Sequence, residues 1–132
     1  MPPRYEVIGI EGIPEIRPGD PIARLIVEAA NRQGTPLAAG DLLVIGQKIV
    51  SKAEGRIVRL AAVTPSPAAL SIAAELGRDA QLVEVILRES RRVVRMDRGI
   101  LITETHHGWI CANAGVDQSN VDLDCVALLP ED

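Results

Sequence analysis

The sequence predicts an α+β fold of mostly antiparallel short strands with about three helices. Three observations carry this. Two segments open with a capping residue followed by proline and continue with apolar residues at helical spacing. About seven short runs rich in β-branched residues are separated by turn residues. The two kinds of segment do not alternate strictly, which argues against a doubly wound parallel sheet.

Tyr5 to Ile10 is short, rich in β-branched residues, and reads as a first strand. Glu11 to Gly19 contains Gly12, Pro14 and Pro18 and reads as an ordered loop. Asp20-Pro21 predicts a helix start, with Asp20 capping free amides and Pro21 at the first helical position. Ile22, Leu25, Ile26 and Ala29 then share one face, and Gly34 with Thr35-Pro36 ends the helix. Leu42 to Ile45 predicts a second strand. Gly46 to Lys48 is polar, Ile49-Val50 is β-branched, and Ser51 to Gly55 reads as an interruption before a strand over Ile57 to Leu60. Ser66-Pro67 starts a helix that runs to Leu76 and stops at Gly77. Asp79 caps a third, with Leu82, Val85 and Ile86 at helical spacing. Val93 to Met96 and Ile100 to Thr105 form a hairpin around Asp97-Arg98-Gly99. His106 to Gly108 turns into Trp109 to Asn113, and Val126 to Leu129 is the last strand. No linker, repeat or low-complexity stretch interrupts this order, so residues 1–132 read as a single domain.

Composition narrows the function classes. The 132 residues are 47% hydrophobic and 24% charged, which suits a globular core. Net charge is -4, from 14 Lys+Arg and 18 Asp+Glu, so no basic field points to nucleic acid. Each apolar run is broken well short of the roughly 18 residues a membrane span requires, so no membrane partner is expected. Met1 to Glu6 lacks an apolar signal core, which predicts a cytoplasmic chain. With no Phe, one Tyr and one Trp, the core is expected to be aliphatic, with Tyr5 and Trp109 as core or half-buried plugs. Cys111 and Cys125 form no C-x-x-C and only two His are present, so a structural zinc site is not expected and both cysteines read as small buried hydrophobes.

The standard phosphate-binding, dinucleotide, zinc-protease and nucleophile-elbow motifs are absent. The densest polar cluster is Cys111 to Asn120, containing Asn113, Gly115, Asp117, Ser119 and Asn120. Hard oxygen donors on a tight turn suit Mg²⁺ or Mn²⁺ beside a phosphate, and an Asx turn whose side chains cap their own backbone suits the residues too. In Ser51 to Arg56, Lys52 can meet phosphate oxygens or lie on a solvated turn. Gly12 to Glu15 exposes backbone groups that can read a nucleotide or serve as a connector. Arg88, Arg91, Arg92, Arg95 and Arg98 make either a patch for an anion or a solvated face. His106 and His107 are adjacent, so on a strand they face opposite ways and make a poor metal pair. Asp122 and Asp124 alternate as on an edge strand.

Taken together, Gly12-Ile13-Pro14, Gln47 to Arg56, Leu87 to Ser90, and Gly108 to Val121 with its C-A-N-A-G-V-D-x-S-N stretch resemble the coenzyme F-420:L-glutamate ligases, also called F-420-0:gamma-glutamyl ligases. The resemblance extends over essentially the whole chain. It implies GTP-dependent ligation of L-glutamate to F-420-0 through an acyl phosphate, assisted by Mg²⁺ or Mn²⁺, with K⁺ as a further candidate ion. The alternative is a non-catalytic nucleotide-binding or assembly module of the same fold. By resemblance, Gly12, Ile13, Pro14 and Glu15 match a loop that contacts the nucleotide. Gln47 and Lys48 match a polar pair that is often Ser-Thr, Lys52 a lysine that faces phosphate, Asn120 a nucleotide contact, and Asp117 a metal ligand. No catalytic residue, deazaflavin pocket or glutamate pocket is assigned. The family's members are about twice this length, so the chain reads as an N-terminal half whose C-terminal half, separate or continuous, supplies further acidic metal ligands. A homodimer is also implied.

Overall fold

A computed structural model describes residues 1–119 and 121–131. Among the described residues it contains four α-helices, two 3-10 turns and five strands in two antiparallel sheets. The α+β class therefore holds, with one more helix and two fewer strands than expected. The chain divides into two compact units, residues 1–55 and 56–132. Nothing in the composition around Gly55 marks this boundary.

In the first unit, α1 spans Ile22–Arg32 and α2 spans Gln47–Ala53. The expected α1 face is present: Ile26 and Ala29 are buried, and Ile22 and Leu25 are half-buried. Asp20 does not cap it. Its carboxylate accepts from the Arg17 N–H at 2.7 Å, closing the preceding loop, and Pro21 holds the cap position without a side-chain bond. At the far end the Thr35 N–H donates to the Ala30 carbonyl at 3.0 Å, so the helix stops where Gly34 predicts.

Helix α2 overturns the expected turn at Ser51 to Gly55. Ile49 and Val50 prefer strands by only a few tenths of a kcal/mol each, and here they are half-buried on a helix packed against α1. Ser51 is fully buried, with its hydroxyl accepting from Gln47 Nε2 at 2.6 Å. The segments expected as strands over residues 5–10 and 42–45 have no ladder partner among the described residues.

The second unit follows the sequence more closely. Strand β1 spans Ile57–Arg59, α3 Pro67–Leu76, α4 Ala80–Arg88, β2 Ser90–Asp97, β3 Ile100–Thr105, β4 Ile110–Ala112 and β5 Cys125–Ala127. Ser66 caps α3 by accepting from the Ala69 N–H, and Gly77 ends it in the left-handed conformation, φ 63°, that a side chain disfavours. Asp79 caps α4 by accepting from the Leu82 N–H at 2.7 Å. The sheets are β1-β5 and β2-β3-β4, the latter containing the predicted hairpin. The core is aliphatic: Leu60, Val63, Leu82, Val85, Ile86, Leu101, Val126 and Leu128 pack together. A smaller cluster of Ala69, Ala73 and Val83 joins α3 to α4, where the small alanines allow close approach.

Tyr5 and Trp109 are not plugs. They are 89% and 69% exposed, because the aliphatic cores close without them. Cys125 is buried and Cys111 half-buried; both are free thiols. Asp122 and Asp124 lie in a turn rather than on an edge strand, with Asp124 at φ 67°.

Candidate functional site

The candidate residues fall into two groups, one in each unit. In the first unit, Gly12, Ile13, Pro14 and Glu15 lie on the loop before α1, and Gln47, Lys48 and Lys52 lie on α2. Glu15 and Lys52 are joined by an ion pair. Its lysine end is well covered, 19% exposed, while the glutamate is 75% exposed. The ammonium is thus seated against protein and the loop carboxylate reaches in to it. An ammonium has three N–H donors, so one carboxylate contact leaves capacity for other oxygens.

Two residues that the sequence did not single out hold this loop from the other side. Arg32 donates from its guanidinium to the Gly12 carbonyl at 3.2 Å. Gln33 donates from Nε2 to the Gly9 carbonyl at 3.0 Å and accepts from the Glu11 N–H at 2.9 Å. Both sit at the C-terminal end of α1, where side chains can reach past the helix end. Their long polar side chains beside Gly34 were the available signal. The loop is therefore fixed at Gly9, Glu11 and Gly12 by α1 and at Glu15 by α2.

In the second unit, Asp117 is pinned by its backbone to β5. Its N–H donates to the Ala127 carbonyl at 2.9 Å, and the Ala127 N–H donates back at 2.7 Å. Its carboxylate accepts from the Ser119 N–H through Oδ1 and from the Ser119 hydroxyl through Oδ2, both at 2.9 Å. The Asx-turn alternative is thus realised in part, and it orients the carboxylate. Asn120 lies outside the described residues.

The turn before Asp117 is conformationally demanding. Asn113, Ala114 and Gly115 have φ of 56°, 52° and 72°, three left-handed residues in succession. Ala114 is buried, and the Asn113 side-chain oxygen accepts from Arg78 at 2.6 Å. At Gly115 a β-carbon would lie 2.7 Å from Leu129 Cγ. The surroundings over-determine this strained turn, which is the condition under which strain persists.

Glu84 on α4 is nearly buried, and sequence reading passed over it because it sits inside an apolar helix. The Ser66 hydroxyl, the Ser66 N–H at 2.8 Å and Arg88 Nε at 2.8 Å all donate to it. These bonds, the Ser66 hydroxyl first, outweigh desolvation and hold its carboxyl down to about 2. It ties the start of α3 to the middle and end of α4.

The arginine run resolves into paired groups. Arg88 meets Glu84, Arg91 and Arg92 meet Glu104, and Arg95 and Arg98 meet Asp97. That is the solvated-face alternative. His106 and His107 donate from Nε2 to two different carbonyls, Arg88 at 2.7 Å and Glu131 at 3.2 Å, so they are not a metal pair. Among the described residues no three His, Cys, Asp or Glu side chains gather into a metal set. Among the described residues no helix is long and apolar enough to cross a membrane.

The chain belongs to the F420-0:Gamma-glutamyl ligase family, whose model matches residues 10–132. It is 49% identical over 126 residues to a protein of Methanothermobacter thermautotrophicus named coenzyme F420:L-glutamate ligase, covering 96% of this chain and 50% of that one. Proteins of the same name from Methanopyrus kandleri and Archaeoglobus fulgidus are 46% and 40% identical, covering 93% and 98% of this chain and 48% and 49% of their own lengths. The chain spans about half the length of these curated relatives.

Proposed function

We propose that the chain is the nucleotide-facing and metal-facing part of a ligase that joins L-glutamate to the deazaflavin precursor F-420-0 at the expense of GTP. The family match over residues 10–132 carries this reading. In the proposed reaction a carboxylate oxygen of F-420-0 bonds to the γ-phosphorus of GTP and GDP leaves. The glutamate amine then bonds to the acyl carbon, phosphate leaves, and the amine gives up a proton.

The chain's own residues would position and neutralise. Gly12 to Glu15, braced by Arg32 and Gln33, would present backbone groups to the nucleotide. Lys52 would meet phosphate oxygens, exchanging part of its contact with Glu15 for a more highly charged partner. Gln47, Lys48 and Asn120 would add polar contacts. Asp117, a hard oxygen donor oriented by Ser119, suits Mg²⁺ or Mn²⁺ as one ligand among the six that Mg²⁺ takes. Such an ion, when bound, would offset phosphate charge; K⁺ is a further candidate. With one carboxylate from this chain, the remaining ligands would come from water, phosphate and the part of the relatives that this chain does not span. Cytoplasmic location and homodimer formation belong to the same proposal.

Calorimetry tests it. GTP or GDP should bind more tightly with Mg²⁺ or Mn²⁺ than without, Asp117→Asn should remove that difference, and Lys52→Ala should weaken binding about tenfold or more, the scale of one lost charge-assisted contact. No guanine-nucleotide binding in the presence of the complementary half would reject the reading. Nucleotide binding with no glutamate added to F-420-0 by mass spectrometry, again with that half present, would leave the non-catalytic module instead.

A further inference from the structure

Most arginines of the second unit face carboxylates. Arg56 pairs with Glu89, Arg88 with Glu84, Arg91 and Arg92 with Glu104, and Arg95 with Asp97. Arg78 does not. It is half-buried, and its side-chain partner among the described residues is a neutral amide, the Asn113 oxygen, which accepts from Nη1 at 2.6 Å. Its mounting is firm. Arg78 lies between Gly77, which ends α3, and Asp79, which caps α4. Its N–H donates to the Ala73 carbonyl at 3.0 Å, and the two helices pack together through Ala69, Ala73 and Val83.

The other end of this contact is the strained turn. Asn tolerates a left-handed φ chiefly because its short side chain can bond nearby backbone. At Asn113 that oxygen faces a guanidinium 35 positions away instead. The turn over Asn113, Ala114 and Gly115 is thus held by partners distant in sequence: Arg78 at its first residue and Leu129, whose side chain crowds Gly115. The Val116 N–H closes it by donating to the Asn113 carbonyl at 2.9 Å, and Asp117 follows directly. The seat of Asn113 therefore sets the direction from which the chain enters Asp117. A bond from a guanidinium, partly shielded from water, is stronger than one between neutral groups.

We propose that Arg78 is a positioning residue for Asp117: through Asn113 it fixes the turn, and through the turn the place of the carboxylate. Its value to a divalent cation rests on the function proposed above, whereas the mechanical link stands without it. Groups that orient a metal ligand without touching the metal change metal affinity by about 10–100-fold.

Two measurements on the full chain separate the link from its use. Without metal, Arg78→Ala should speed amide exchange at Asp117 and Ala127, whose N–H groups bond each other's carbonyls, at least about tenfold, while amides of the β2–β3 hairpin keep their rates. With GDP present, Mn²⁺ binding followed by the EPR signal of the free ion should weaken at least about tenfold in the same variant. Arg78→Lys, which keeps a cationic donor, should recover most of both losses. Asn113→Gly removes the acceptor yet accepts the left-handed φ, so it should reproduce both effects, and combining it with Arg78→Ala should add little. Exchange that quickens evenly over the second unit shows that Arg78 only stabilises the unit and overturns the proposal. So does unchanged exchange at Asp117 and Ala127, or Mn²⁺ affinity untouched by Arg78→Ala where Asp117→Asn abolishes it. A wild-type chain that takes up no Mn²⁺, or no more than Asp117→Asn does, rejects the metal reading of Asp117, and the exchange rates then decide the role of Arg78.

Discussion

Removing the charge from Glu84 should destabilise the second unit without disturbing its shape. Glu84→Gln keeps the side-chain length and one acceptor oxygen but exchanges a carboxylate for an amide. The carboxylate holds together the Ser66 hydroxyl, the Ser66 N–H that begins α3, and Arg88 on its own helix. Its fall from the ordinary 4.5 to about 2 sets the scale. At about 1.4 kcal/mol per pH unit, the ionised form contributes about 3 kcal/mol. Arg88 is mostly solvent-exposed, so the larger part of this rests on Ser66. The sign is that of a depressed carboxyl. The contribution is fully present above the unfolded-state value near 4.5, fades as pH falls toward 2, and is gone below it. Urea unfolding followed by the fluorescence of Trp109 is the suitable assay, since the only tryptophan lies in the same unit as Glu84. At pH 7 the variant should lose about 2–3 kcal/mol, some being regained by the amide's own hydrogen bonds. The difference between the two proteins should shrink steadily from pH 5 to pH 2. A loss under about 0.5 kcal/mol at pH 7, the range of an unremarkable surface substitution, or a difference that does not narrow with acid, would refute the reasoning.

Gly115→Ala should cost about 1–3 kcal/mol by the same fluorescence assay, because it combines a left-handed φ of 72° with a β-carbon placed against Leu129. Adding Leu129→Ala should restore only the steric share, measurable as a non-additive double mutant. Thr103 is fully buried and its hydroxyl has no partner among the described residues, so Thr103→Val should raise the unfolding free energy by about 1 kcal/mol. Arg32→Ala should loosen the loop at Gly12, visible as faster amide exchange over residues 9–15 while exchange in the second unit is unchanged.

Elements whose signals are local were legible in the sequence. Ser66-Pro67 to Gly77 and Asp79 to Arg88 carry their own caps and face, and the Asp97-Arg98-Gly99 hairpin carries its own turn. The candidate site was legible as a list of residues, because the motif from Cys111 to Asn120 and the stretch around Lys52 are specific as strings. What could not be read there was which side chains meet. The bracing of the Gly12 loop by Arg32 and Gln33, and the pairing of Glu15 with Lys52, join positions about twenty and thirty-seven residues apart, separations at which no local pattern operates.

The class of fold, the aliphatic character of the core and the family were settled by the sequence alone, because composition, capping and motif are properties of neighbouring residues. The helix at Gln47–Ala53, the pinning of Asp117 to β5 and the lack of a ladder at 5–10 and 42–45 among the described residues were decided only by the tertiary structure. A strand exists only where another segment accepts its hydrogen bonds, and a β-branched pair such as Ile49-Val50 has too small an intrinsic preference to resist packing on a helix. The same physical reason leaves Leu42 and Val44 in solvent: their sequence asks for a sheet, and the described chain does not supply the partner strand.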